Sequence, residues 1–167
     1  MTKKNEISTV AKKPGASLGN SQPAFWLLKS EPDVFSWDNL VVRGAAGEPW
    51  NGVRNYQARN NMRAMKLGDL GFFYHSNIGK EVAGICEVIA LAHPDLTADS
   101  GTWECVDVKA VAALPRPVTL DSIKLNQRLA NMVLVKNSRL SVQPVTADEW
   151  FEICRMGGLD EKKLRVK

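Results

Sequence analysis

The residues best suited to holding a planar, polar ligand crowd one segment: Trp50, Asn51, Arg54, Asn55, Tyr56, Gln57, Arg59, Asn60 and Asn61. Side-chain amides of Asn and Gln present a donor and an acceptor together, which matches the edge of a nucleobase. An aromatic face stacks on a base for roughly 1–3 kcal/mol. Guanidinium groups pair with phosphates or stack in turn. Two further polar segments, Lys29-Ser30-Glu31 and His75-Ser76-Asn77, carry groups that could converge on the same place. The same segment also reads as a polar loop and helix start with one buried Trp, so the residues alone leave both readings open.

Bond-making chemistry is harder to find. The chain has no phosphate-cradling loop of the Walker type and no Gly-x-Ser-x-Gly elbow. Its histidines are His75 and His93, and neither has metal-ligand spacing to a Cys or a second His. No metal and no cofactor is therefore expected. His75, Ser76 and Glu31 are the nearest to a hydrolytic set, but neighbours on a strand face opposite ways. An enzyme acting on a nucleotide or small amide stays as an alternative, and a protein-interaction module as a third reading.

The elements that must position these groups can be read from periodicity and caps. Phe25 to Leu28 is an apolar run suited to a buried strand. Ser36 can cap a short helix over Trp37 to Leu40. Ala58, Met62 and Met65 make an apolar stripe on a helix from about Asn55 to Lys66, with Arg59, Arg63 and Lys66 on another face. Gly68-Asp69 precedes a strand, Leu70 to His75, with Leu70, Phe72 and Tyr74 on one face and Phe73 and His75 on the other. Strands follow at Val82 to Ala90 and Trp103 to Ala113. A short helix opens at Thr119, another spans Gln127 to Leu134, and Leu140 to Gln143 forms a strand stopped by Pro144. Thr146 and Glu149 have capping-box spacing for a last helix that stops at Gly157-Gly158. Short strands with unequal connections predict an α+β fold, a small, partly closed mixed or antiparallel β-barrel with flanking short helices.

A length of 167 residues with 44% hydrophobic and 24% charged residues fits one globular domain. No apolar run approaches the roughly 18 residues that span a bilayer, and the N-terminus has no secretory apolar core. Cys86, Cys105 and Cys154 are scattered, which suits a reducing, cytoplasmic setting and buried thiols. Residues 1–24 carry four lysines against one glutamate, a net of +3 that leaves only +1 of the chain's +4 for the rest. That segment reads as a disordered basic tail, so net charge says little about what the folded body binds.

Several long motifs, in order, carry a resemblance. They are Trp26-Leu27-Leu28-Lys29-Ser30-Glu31-Pro32, the segment Trp50 to Asn61, Gly68-Asp69 with Phe72 to Asn77, and Gly84 to Val88. Trp103 with Val106-Asp107-Val108, Arg116 to Leu120, and Arg139 to Val145 complete them. Over residues 25–156 the sequence resembles the EVE domain family, relatives of YTH and other PUA-like domains, with 157–167 as a C-terminal tail. The resemblance implies a PUA-like barrel and a reader of DNA or RNA carrying a modified base: modified cytosine in DNA, or methylated adenine. One base would be extruded into an aromatic-walled pocket. By resemblance Trp50 is the stacking wall, Lys29, Ser30 and Glu31 the polar rim, Asn51, Asn55 and Tyr56 the completion of the pocket, and His75, Ser76 and Asn77 the mouth opposite. Arg54, Arg59, Lys66 and Arg139 are the phosphate candidates. The connection Ala92 to Thr102 is shorter than in many family members, which carry an acidic, Tyr-rich loop there. Trp103 follows it directly, either as a second pocket wall or as a cover for the barrel end.

Overall fold

The computed structural model describes residues 24–160. The expected tails, 1–24 and 157–167, lie outside the described residues except for Ala24 and Gly157 to Asp160. The N-terminal apolar run becomes β1 (Phe25–Ser30), which lies parallel to β3 (Leu70–His75) on one side and antiparallel to β6 (Val142–Val145) on the other. β4 (Glu81–Pro94) pairs with β3, and β5 (Glu104–Thr119) pairs with β4. The two-residue β2 (Glu48–Pro49) finishes a six-stranded sheet of order β2-β5-β4-β3-β1-β6.

The period-2 alternation of β3 sends its side chains into two separate cores. Phe72 and Tyr74 join Leu27, Ile85, Leu129 and Trp150 on one face. Phe73 joins Leu28, Trp37, Trp50, Val106 and Val108 on the other. β4 and β5 run beyond their expected ends, and their register shifts at four places. Each such irregularity leaves unpaired residues on at least one strand and increases the local bend, so the long pair curls rather than lying flat. Gly84 sits beneath α1 (Trp37–Arg43): a Cβ there would come within 2.5 Å of the Trp37 ring.

Helix α2 (Tyr56–Ala64) occupies the gap between the far ends of the curled sheet and packs against both β5 and β6. Asn61 Nδ2 donates to the Val142 carbonyl at 2.8 Å, tying the helix to β6. Arg63 Nε donates to Glu104 Oε1 at 2.7 Å, tying it to β5. Buried Asp69 fixes the other end, accepting from the Lys66 amide and from Trp26 Nε1. The barrel is thus completed by a helix where strand pairing stops.

The caps read from the sequence form. Ser36 and Asn39 make a capping box on α1, as do Thr146 and Glu149 on α5 (Ala147–Met156). Thr119 caps α3 (Leu120–Leu125). Two local expectations are corrected. The helix expected over Gln127 to Leu134 is a 3-10 turn, Gln127–Leu129, followed by the separate α4 (Val133–Lys136). Met132 takes extended backbone between them and is fully buried with Leu129 and Leu134, so burial overrides helix continuity. Pro144 does not stop its strand. β6 is an edge of the sheet, where a missing N–H leaves no ladder bond unmade on the solvent side. Among the described residues no helix is long and apolar enough to cross a membrane.

Candidate nucleic-acid interface

Trp50 is delivered by close backbone packing. Gly47, at φ 65°, has no room for a side chain: a Cβ would lie 2.3 Å from the Val108 carbonyl oxygen. That approach lets β2 pair with β5, and the Trp50 amide then donates to the Val106 carbonyl at 2.7 Å. The ring lines a cavity of about 490 Å³. The same cavity is lined by Lys29 and Ser30 at the end of β1, Val34 and Phe35, Arg43, β2, the run Asn51 to Arg54, and Ser141. Phe35 and Phe73 meet Trp50 at interplanar angles of 85° and 87°. The Ser30 hydroxyl donates to the Phe35 carbonyl, and the Glu31 carbonyl accepts from the amides of Val34 and Phe35. That turn folds Phe35 against Trp50.

Lys29 lines the cavity, but its ammonium group points elsewhere. Nζ donates to the Ser138 carbonyl at 2.8 Å and lies 5.9 Å from the Tyr74 ring centre, on the opposite sheet face from Trp50. Burial lowers the Lys29 pKa. Arg43 also lines the cavity, ion-paired to Glu48 at 2.8 Å and lying over Phe35.

A second aromatic cluster flanks the cavity. Tyr56 stacks on Trp103 with centroids 4.9 Å apart and planes 20° apart. The Arg59 guanidinium lies 4.9 Å from the Tyr56 centroid and 5.7 Å from that of Trp103. Arg54 also lies 5.7 Å from the Trp103 centroid and lines the cavity. One buried carboxylate organises this corner. Asp95 accepts from the Gly52 amide, Arg54 Nη1, the Thr97 amide and the Thr97 hydroxyl. Burial alone would raise its pKa, but these four donors hold the carboxyl well below the usual carboxylate range. The segment 50–54 and the short connection after β4 are clamped together as a result.

A model of the EVE domain matches residues 24–156. The chain belongs to the EVE domain family. It is 37% identical to human thymocyte nuclear protein 1 over 157 residues, 75% of this chain and 70% of that protein. The crystal structure of the human THYN1 protein in complex with DNA containing 5-methylcytosine superposes with a TM-score of 0.75 at 35% identity, covering 82% of this chain and 99% of that one. A crystal structure of an Agrobacterium tumefaciens protein gives a TM-score of 0.81 at 58% identity, over 83% of this chain and 95% of that one. A YTH domain from Zygosaccharomyces rouxii shares the fold, with a TM-score of 0.54 at 19% identity over 84% of this chain and 88% of that one.

Of the residues singled out from the sequence, this EVE domain brings Lys29, Ser30, Trp50, Asn51 and Arg54 to one cavity. Tyr56, Arg59 and Trp103 form the separate cluster. Asn55 caps α2, its side chain accepting from the Ala58 amide at 2.9 Å. His75 lies behind Phe73, where Nε2 accepts the Trp37 amide at 3.0 Å and Nδ1 is 4.0 Å from Glu81. Burial lowers its pKa against the opposing pull of Glu81 and Asp38. Ser76 and Asn77 sit in the turn to β4, with Asn77 at φ 70°. Lys66 is exposed just past the C-terminus of α2, and Arg139 is exposed two residues before Ser141.

Phe35, Arg43 and Ser141 escaped sequence reading because only chain folding brings them to Trp50. So did a group of possible metal ligands. His93 Nε2 lies 2.7 Å from Asp107 Oδ1 and 3.9 Å from Cys105 Sγ. His93 and Cys105 are register partners across β4 and β5, which no sequence spacing reveals. Burial first, then Asp95 and Asp107, push the Cys105 thiol up to about 11. The three side chains could ligate an ion, but the His93–Asp107 contact already pairs the imidazole with the carboxylate. Cys86, Cys105 and Cys154 are all buried, and none of them is in a disulfide.

Proposed function

We propose that this EVE domain reads DNA carrying 5-methylcytosine, taking one extruded base into the Trp50 cavity. The observation that carries the reading is the cavity's combination of an indole wall, polar groups from Ser30, Asn51 and Ser141, and a volume of about 490 Å³. That volume lies within the range of about 300–1,000 Å³ common for small-molecule sites. The human relative's complex with 5-methylcytosine-containing DNA supports the choice of base. The indole supplies stacking, and hydroxyl and amide groups read the base edge. Arg59 and Arg139 are the proposed phosphate contacts, since neither has a carboxylate partner within ion-pair distance among the described residues.

Reading is favoured over catalysis by how the local nucleophile and base are occupied. The Ser30 hydroxyl, which borders the cavity, donates to a backbone carbonyl, and the His75 ring accepts a backbone amide. Among the described residues His75 makes no hydrogen bond to Ser76 of the kind that joins a general base to its nucleophile.

Fluorescence titration with short single-stranded DNA, differing by one methyl on one cytosine, tests the proposal. The methylated strand is expected to bind more tightly, with affinity falling steeply as salt rises. Equal affinity for the two strands, or no binding at low salt, overturns it.

A further inference from the structure

The Tyr56 ring is stacked on Trp103 yet stays exposed. Trp103 and the Arg59 guanidinium each lie 4.9 Å from its centre, yet they are 5.7 Å from one another. Set directly across the ring centre from each other they would be nearly twice as far apart, so they crowd one part of the phenol rather than enclosing it. Tyr56 is 63% exposed, which leaves ring surface open to solvent. An aromatic ring at a helix start, braced from behind by an indole and a cation, is held in place without a ligand.

One cation beside it, Arg59, has no carboxylate partner among the described residues, unlike its neighbours. Arg54 is neutralised by Asp95, and Arg63 by Glu104. Arg59 donates to the Thr102 carbonyl and to Asn60 Oδ1, and among the described residues it has no carboxylate within ion-pair distance. The cluster also adjoins the cavity, because Arg54 lines the cavity and contacts Trp103.

We infer that the open face of Tyr56 is the seat of the nucleotide next to the base held in the cavity. The neighbouring base stacks on the phenol, and the intervening phosphate meets Arg59. This rests on the nucleic-acid reading proposed above and adds to it. The unit bound is at least two nucleotides, one enclosed and one on an open shelf. Stacking of this kind tolerates any base, since every base has a π-face.

The test is a cycle between Tyr56→Ala and abasic neighbours. Single-stranded DNA pentamers carry one central 5-methylcytosine, with either intact bases or abasic sugars on both sides. The unaltered protein is expected to prefer intact neighbours by about tenfold. In Tyr56→Ala that preference should fall to near unity, and Tyr56→Phe should restore it, because the ring and not the hydroxyl does the stacking. A thermal melt of each variant confirms that it is folded. Equal affinity of the unaltered protein for both pentamers overturns the shelf, as does a preference that survives in Tyr56→Ala. Selectivity for the methyl group without a neighbour effect overturns the shelf alone. A neighbour effect without selectivity for the methyl group overturns the cavity reading alone.

Discussion

Two tryptophans anchor the two faces of the sheet, and their surroundings differ in kind. Trp150, on α5, stacks in parallel on Phe25 at 4.5 Å and on Phe72 at 4.0 Å, and it is 1% exposed. Trp50 is nearly as buried, at 7%, but its aromatic neighbours meet it close to perpendicular and it borders an open cavity. On the first face the protein's own rings supply the stacking. On the second, no parallel ring is supplied among the described residues. Similar burial therefore conceals different surroundings, one tryptophan stacked between the protein's own rings and the other bordering a cavity.

The strongest way to break this comparison is Trp150→Ala. It should cost about 3–5 kcal/mol of stability, measured as a fall in denaturation midpoint, while the fraction still folded binds as before. Trp50→Leu keeps apolar volume but removes the flat face. It should weaken binding to methylated DNA by about 1–3 kcal/mol, read by titration, with the fold intact by circular dichroism. If the two substitutions have the same profile, the two faces do not differ in the way described.

Asp95→Asn acts on the cavity's frame rather than its wall. Removing the charge from a carboxylate with four donors should cost roughly 1–3 kcal/mol of local stability. Faster exchange of the Gly52 and Thr97 amide protons, both donated to Asp95, reports it. No comparable change is expected at α5.

The smallest effect is a pH dependence. The pKa of His75 is lowered in the folded protein, because the ring is partly buried. The unfolded chain therefore takes up the proton more readily. The stability contributed is fully present above the ordinary histidine value of about 6.5 and is lost as pH falls below it. The melting temperature should drop between pH 7 and pH 5, and His75→Gln should flatten that drop.

How far the sequence reveals this arrangement depends on distance along the chain. The alternation of Phe72 and Tyr74 against Phe73 is a local property, and it separates the two cores correctly. Ser36, Thr119 and the Thr146–Glu149 box are local too, since a cap needs only the next few amides. The fold class follows from these together with the motifs. What stayed hidden depends on pairing between remote segments. β2 is a strand only because Gly47 lets it approach β5. Phe35 and Ser141 become cavity walls by the same kind of long-range assembly. The direction of Lys29 is an instructive mixture. Period-2 alternation from Leu28, which faces the Trp50 core, already places Lys29 on the other side with Tyr74. The segment from Trp50 to Arg59 looks like one unit in sequence, yet it is divided between a cavity and an exposed ring cluster.

The pairing of β1 with β6 also has a consequence for the order of events in folding. Phe25 is hydrogen-bonded across the sheet to Val145, and the Lys29 amide donates to the Ser141 carbonyl. The cavity wall at Ser141 therefore comes from a segment remote in sequence from β1, and an earlier fragment lacks that wall. Closing so long a loop is slow relative to local pairing. In a refolding experiment, the ability to bind should return after most secondary structure has formed, in step with the docking of β6.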